Sequence, residues 1–406
     1  MNQKEPYMIK LLFLTLLLLP IALFSKGTQL SDIPLPETAV LNLDPYPCDE
    51  ACVQKYLKDG FIFSYLSYQD VETQNTFLSK EKVYYAPVIK NESTQEKKKI
   101  RIALLMPYKT IGRYAASTTN ASFAYLISRE APFELKSYKI EDENYEEIKK
   151  ALDKIKSDGF EYVIAPMTQA GEKIISSINP KINIYFPTIN KKDTQNSSEY
   201  LYYGGIDYRA QIDILLKLSS SLLVIFYDNS EVAQQLSLYE EFSFKQSGGS
   251  SVVKFEIPQQ ITNLEKQIKN NHKISGGSFF LNTPIVKSGM IMSQLTLYDT
   301  NIANILSTQA NYNPLLLSMT QYQDRKEMII ANSITINNDL LIETNSILQN
   351  DIVYDWINYT TTVGIDYFSH VLNGEKRHYD IAVNSNQMIY PIKLIQPSVS
   401  RFIPYN

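Results

Sequence analysis

The residues able to do chemistry in this chain are few and scattered. Three histidines, His272, His370 and His378, fall on separate stretches, and none stands at a spacing from Cys, Asp or Glu that would gather the donors a zinc ion needs. They read as surface or core residues, and no metal site is expected. No G-x-S-x-G elbow, H-E-x-x-H helix, G-x-x-x-x-G-K-[ST] phosphate loop or calcium loop occurs. Gly248-Gly249 and Gly276-Gly277 read as hinges between helix and strand rather than phosphate cradles. Carboxylate pairs such as Glu146-Glu147 and Glu240-Glu241 read as solvated helix faces, since sequence alone does not pair them across a cleft. The chain is therefore expected to be non-catalytic and to need no cofactor. An enzyme whose groups converge from distant positions is the exception this reading leaves open.

The two cysteines, Cys48 and Cys52, follow a stretch punctuated by Pro34, Pro36, Pro45 and Pro47. An isolated even pair in an oxidising compartment favours a disulfide. Metal binding lacks nearby His partners, and a redox pair would show two intervening residues rather than Asp49-Glu50-Ala51. Residues four apart on a regular helix lie near the outer limit of disulfide geometry, so Cys48 is expected at an irregular helix start, with Pro47 supplying it.

The compartment is written in the N-terminus. Ile9 to Phe24 is almost wholly apolar, with Lys10 near its start and Ser25 and Gly27 just beyond. That pattern predicts a cleaved export signal over residues 1–27, started at Met1 or Met8. The run is shorter than the ~20 residues of a membrane span and is broken by Pro20. No cysteine directly follows it to take a lipid, so no membrane anchor is expected after cleavage. The chain is predicted to be periplasmic.

Composition narrows the partners. The 406 residues are 44% hydrophobic, enough for two or three cores. The 39 basic against 43 acidic residues provide no field for a phosphate backbone, which excludes nucleic acid as a partner class. The 29 tyrosines read as compositional bias.

The elements that must position any site begin at Ile100. Residues 28–95 read as a small separate region with an amphipathic stretch from Cys48 to Leu66, followed by a polar linker that includes Lys97-Lys98-Lys99. Thereafter short apolar runs alternate with helical periods. Ile100 to Met106, Glu134 to Ile140, Tyr162 to Ala165 and Ile182 to Phe186 read as strands. Asn144-Tyr145-Glu146-Glu147 predicts a capping box, Gly159 a helix end, and Thr168 an N-cap. A second series follows Gly204-Gly205, with strands at 222–227, 252–257 and 278–281, and with Thr262-Asn263-Leu264-Glu265 as another capping box. The tail shows strands at 305–306 and 328–331, a helix from Tyr354 to Leu372 ending at Gly374, and a last strand from Met388 to Ile395. The fold class is α/β, two parallel sheets in two lobes. Lobe 1 is placed at about 100–205 and lobe 2 at about 206–305, each completed by part of the tail within a domain of residues 96–406.

Residues 100–400 resemble the type I periplasmic-binding fold, the leucine-binding-protein and receptor ligand-binding group. The resemblance rests on Ile102-Ala103-Leu104-Leu105-Met106-Pro107, on Tyr162-Val163-Ile164-Ala165-Pro166-Met167-Thr168-Gln169-Ala170-Gly171, and on Pro187-Thr188-Ile189-Asn190 at the next loop. It implies two lobes joined by hinge strands, a ligand cleft between them, and more than one crossing of the chain. Members that hold amino acids place small hydroxyl residues after the third strand. Here only Thr168 matches, beside Gln169, and the usual glycine after the first strand is displaced to Gly112. Two functions follow from the resemblance: a clamp for a small polar molecule, or a scaffold using the same fold to contact an envelope protein.

In open α/β sheets ligands sit outside the carboxyl ends of strands, where helix N-termini offer free N–H groups. The candidate ligand-binding residues are accordingly Tyr108, Thr168, Gln169 and Thr188 in the first lobe and Asp228, Asn282 and Thr283 in the second. Tyr108 would stack on a ring, and Thr168 with Gln169 would hold a carboxylate or amide. Thr168 and Asp228 are also good helix caps, which requires no ligand.

Overall fold

A computed structural model describes residues 48–68, 75–89, 99–129, 131–195, 198–260 and 263–405. The expected export signal, Pro47 and Thr262 lie outside these residues. The chain divides into two compact units, residues 1–96 and 97–406. Among the described residues no helix is long and apolar enough to cross a membrane.

Among the described residues of the first unit, helices run over Glu50–Lys58, Ile62–Ser67 and Thr76–Ile89. The single amphipathic stretch expected from Cys48 to Leu66 is broken at Gly60, whose φ of 80° ends the first helix and turns the chain. Cys48 and Cys52 are disulfide-bonded with Cα atoms 5.4 Å apart. Cys48 stands before the helix, and the N-cap is Asp49, whose carboxylate accepts from Cys52 N–H at 2.9 Å. Cys48, Val53, Tyr65, Leu66 and Leu78 form the small core.

The second unit contains two seven-stranded sheets. The first has the order β11-β12-β5-β4-β3-β1-β2, with β1 Ile100–Pro107, β2 Phe133–Ile140, β3 Tyr162–Ile164, β4 Asn183–Phe186, β5 Leu201–Tyr203, β11 Ala382–Asn384 and β12 Gln387–Ile389. The second has the order β14-β13-β10-β9-β8-β6-β7, with β6 Leu222–Asp228, β7 Ser251–Ile257, β8 Gly277–Asn282, β9 Ile302–Ser307, β10 Met328–Asn332, β13 Lys393–Pro397 and β14 Phe402–Pro404. Strands β1 to β5 pair in parallel, as do β6 to β10, and antiparallel pairing is confined to the tail strands.

Burial on both faces explains why β1 is a continuous apolar run. Side chains alternate across the sheet, so Ile102, Leu104 and Met106 join one core while Ala103 and Leu105 join the other. The first core is closed by the helix Trp356–Asn373, through Tyr359, Val363 and Phe368. The second is closed by the helix Tyr145–Ser157, through Ile148, Leu152 and Ile155. Lobe 2 repeats the plan: Val224 and Phe226 face one core, Leu223 and Ile225 the other.

The chain crosses between lobes at 204–207, at 333–338 and at 390–392. The run Met388 to Ile395, expected as one strand, is thus β12 of one lobe and β13 of the other. All three crossings are fastened to one turn of the Trp356–Asn373 helix. Thr360 Oγ1 donates to Gly204 O at 2.7 Å and meets Tyr390 Oη at 2.8 Å, while Tyr359 Oη meets Thr335 Oγ1 at 2.8 Å. Gly204 is required here, because a Cβ would lie 1.8 Å from the Tyr185 hydroxyl.

The first capping box is incomplete. Asn144 Oδ1 accepts from Glu147 N–H at 2.9 Å, but the Glu147 carboxylate turns back to Glu141 N–H at 2.7 Å rather than to Asn144. Of the second box, Thr262 lies outside the described residues, and the helix that follows is a single turn, Glu265–Ile268, whose N-cap Leu264 has no side chain able to cap it, while Glu265 N–H donates to Asn263 Oδ1 at 2.7 Å.

Candidate ligand-binding cleft

Two cavities lie at the carboxyl ends of the strands and share Tyr208, Val232 and Leu236. The first, ≈ 200 Å³, takes Gln169, Thr188 and Asn190 from lobe 1 and Gln235 and Tyr239 from the lobe 2 helix Glu231–Gln246. The second, ≈ 180 Å³, lies on lobe 2, at the ends of β6, β8 and β9. Helices open shortly after these strands: Ser230, two residues beyond β6, caps Glu231–Gln246, and Asp207, four residues beyond β5, caps Tyr208–Leu216.

Five of the seven candidates line these cavities: Gln169 and Thr188 the first, Asp228, Asn282 and Thr283 the second. Thr188 Oγ1 donates to Met167 O, and Thr283 Oγ1 meets Ser288 Oγ at 2.7 Å. Asp228 Oδ1 accepts from Ser230 N–H at 3.1 Å and Oγ–H at 2.6 Å, and its Oδ2 lies 3.8 Å from Lys287 Nζ.

Tyr108 and Thr168 line neither cavity. Tyr108 is 43% exposed on a short helix after β1. Thr168 caps the helix Gln169–Ile178, and the donors at that N-terminus are taken by a carboxylate of the chain itself. Glu143 Oε1 accepts from Thr168 N–H at 2.8 Å, and Oε2 accepts from Gly171 N–H at 3.1 Å and from the Thr168 hydroxyl. A carboxylate at this positive end needs no external partner.

Charges around the first cavity cancel locally. Lys192 pairs with Asp207, and Arg209 Nη2 lies 3.7 Å from Asp193 Oδ1. Burial raises the Asp193 carboxyl above its usual range, against the pull of Arg209. Desolvation pushes the Tyr208 phenol up to about 12, so its hydroxyl stays protonated and able to donate at neutral pH.

Glu240 corrects an expectation. It is not on a solvated face but fully buried in lobe 2, where Asn282 Nδ2 donates to both of its carboxylate oxygens at 2.8 Å. Its pKa is raised well above the ordinary value by burial, opposed by Asn282 and Lys254. The helical period of 231–246 places Glu240 inward with Ala233, Ser237 and Phe244, a signal the pair Glu240-Glu241 masked. Tyr208 and Thr308 were also not among the candidates. Thr308 follows β9 directly, so the strand-end rule that selected Asn282 would have found it. Among the described residues no group of three His, Cys, Asp or Glu side chains is placed to hold a metal ion.

No protein-family model matches this sequence, and no curated protein matches it. The likeness to known proteins is in three dimensions. An ABC transporter substrate-binding protein from Sphaerobacter thermophilus aligns with a TM-score of 0.58 at 12% identity, over 76% of this chain and 97% of that one. The branched-chain amino acid transporter substrate binding protein of Streptococcus pneumoniae, in complex with isoleucine, aligns at 0.54 and 10% identity, over 75% and 98%. A solute binding protein from R. palustris in complex with benzoate aligns at 0.53 and 11% identity, over 76% and 96%. The chain has the type I periplasmic-binding fold. The three crossings join the two lobes, and the first cavity takes walls from both.

Proposed function

We propose that this is an exported, non-catalytic solute-binding protein of the periplasm that holds a small polar molecule between its lobes. The observation that carries this is the convergence of Gln169 and Thr188 from one lobe, Tyr208 from the start of the helix after the first crossing, and Asp228, Asn282 and Thr283 from the other lobe on two cavities with shared walls. Elements up to about 140 residues apart in sequence supply many hydrogen-bonding groups there, with charges that pair with one another at the first cavity, as suits a site for a small polar solute. The structural neighbours, which include proteins solved with isoleucine and with benzoate, support small-molecule binding.

A thermal-shift screen against a metabolite pool tests it. A ligand at a hundredfold excess over its Kd adds about 2.7 kcal/mol of stability. A hit is expected to lose affinity in Tyr208→Ala, which removes the wall shared by both cavities. A screen without any hit, together with recovery of a protein partner on Val232, Leu238 and Phe242 of the Glu231–Gln246 helix, all exposed, would favour the scaffold instead.

A further inference from the structure

The lobe 1 wall of the cleft spends its donors inside the chain. At the N-terminus of the helix Gln169–Ile178, Thr168 N–H, Gly171 N–H and the Thr168 hydroxyl all go to one carboxylate, that of Glu143 in the loop after β2. The Thr188 hydroxyl goes to Met167 O, and Asn190 Nδ2 goes to Gly205 O at 3.0 Å. Two cations at the first cavity are each faced by a carboxylate, Lys192 by Asp207 and Arg209 by Asp193. Gly171 shows that the place of Glu143 is built into the fold. A Cβ at this position would lie 2.7 Å from Glu143 Cδ, so glycine leaves the room that the carboxylate fills. Gly171 otherwise stands in the first turn of a regular helix, where glycine is disfavoured, and the carboxylate supplies the reason for it.

We propose that Glu143 is a specificity-determining residue: its carboxylate occupies the lobe 1 position that an anionic group of a ligand would take, so the cleft admits uncharged and cationic solutes and turns carboxylates away. A helix N-terminus with free N–H groups attracts anions. Here that attraction is met from within, by a group of the same chemistry as a ligand carboxylate. A free carboxylate has to displace the tethered one, whose effective concentration at the site is far higher. The displaced Glu143 would join Asp142 in the loop after β2, where like charges repel. An uncharged solute meets no such competitor, and the Gln169 amide on the same wall offers both a donor and an acceptor. The inference rests on the solute-binding reading and names the charge class of the solute.

The test uses the full chain, with benzoate and its uncharged match benzamide as probes, read by thermal shift and calorimetry at pH 7 and constant ionic strength. Glu143→Ala frees the three donors and is expected to bind benzoate about tenfold more tightly than the native protein does, with benzamide changed by less than about twofold. Adding Gly171→Ala puts a methyl group where the carboxylate would sit, and the double variant is expected to fall back to native benzoate affinity while keeping its fold. Circular dichroism checks folding. Glu143→Gln, which keeps the shape without the charge, carries the same comparison if Glu143→Ala does not fold, with a gain in the same direction. Native protein that binds benzoate as tightly as Glu143→Ala, benzoate that binds neither, or a gain that survives Gly171→Ala would overturn the assignment. If the native protein binds a carboxylate from the metabolite screen in a Tyr208-dependent manner, the exclusion of anions fails while the solute-binding reading stands. If the screen is empty and Glu143→Ala gains benzoate binding that Gly171→Ala removes, the filled anion position stands and the solute-binding reading falls.

Discussion

Glu240 and Thr168 show how one side chain's partner changes its meaning. For Glu240, burial raises the folded-state pKa above the unfolded one. Between those two values the native state binds more protons than the unfolded chain, so this residue's contribution is fully present below the unfolded pKa and lost as pH rises through the folded pKa. Among the described residues, the groups that act on it are Asn282, by hydrogen bonds, and Lys254, by charge. Glu240→Gln cannot ionise, and its stability relative to the native protein is expected to grow as pH rises from about 4.5. Urea unfolding at pH 5 and pH 8 checks this; a difference that does not change with pH would show that Glu240 titrates alike in both states. For Thr168, the hydroxyl and N–H are already engaged with Glu143. Thr168→Val is therefore expected to lose about 1 kcal/mol of stability, the usual worth of an N-cap, with ligand affinity unchanged in calorimetry. A variant of undiminished stability that binds more weakly would return Thr168 to the site.

Among the elements, the Trp356–Asn373 helix ties the lobe crossings together, since Tyr359 and Thr360 reach all three. Thr360→Val leaves the Gly204 carbonyl and the Tyr185 and Tyr390 hydroxyls short of a buried partner. It is expected to cost about 1–3 kcal/mol and to speed hydrogen exchange at residues 204–207 and 390–392. Gly204→Ala forces the Tyr185 ring out of place and is expected to cost about 1–3 kcal/mol as an overpacked site. Chemical denaturation measures both, and a Gly204→Ala protein of native stability would mean that the crossing is loosely packed. The disulfide belongs to this level too. It closes a very short loop at the start of the Glu50–Lys58 helix, so replacing both cysteines by serine is expected to cost about 2 kcal/mol, confined to protease resistance of the N-terminal unit.

For the whole molecule, a ligand that contacts both lobes shifts the population toward a closed form by its difference in affinity for the two forms. Small-angle scattering with a saturating hit from the metabolite screen is expected to give a smaller radius of gyration than the free protein, and Tyr208→Ala is expected to abolish the change. Mass spectrometry of the exported protein is expected to find an N-terminus just after Ser25 or Gly27. An intact Met1 or Met8 would contradict export with cleavage.

Much of the architecture was legible because it is local. The β1 run, the Thr168 cap, and the inward positions Ile148, Leu152 and Ile155 follow from residue type and from periodicities of two or 3.6 residues, which a short window of sequence contains. The strand-end rule likewise reached five cavity residues, because a strand's carboxyl end is set by its neighbours along the chain. The same local signals could not divide Met388 to Ile395 between two sheets, since a strand is assigned by the partner it pairs with, and Tyr203 and Ile330 lie far away in sequence. Nor could they tell that Glu143 reaches the Thr168 N–H, 25 residues on, or that Asn282 meets Glu240 across 42. Chain-local patterns determine which elements form and where they end. Which polar groups are left without a partner, and so what the cleft can hold, is decided only when distant segments pack and some of their donors and acceptors satisfy each other.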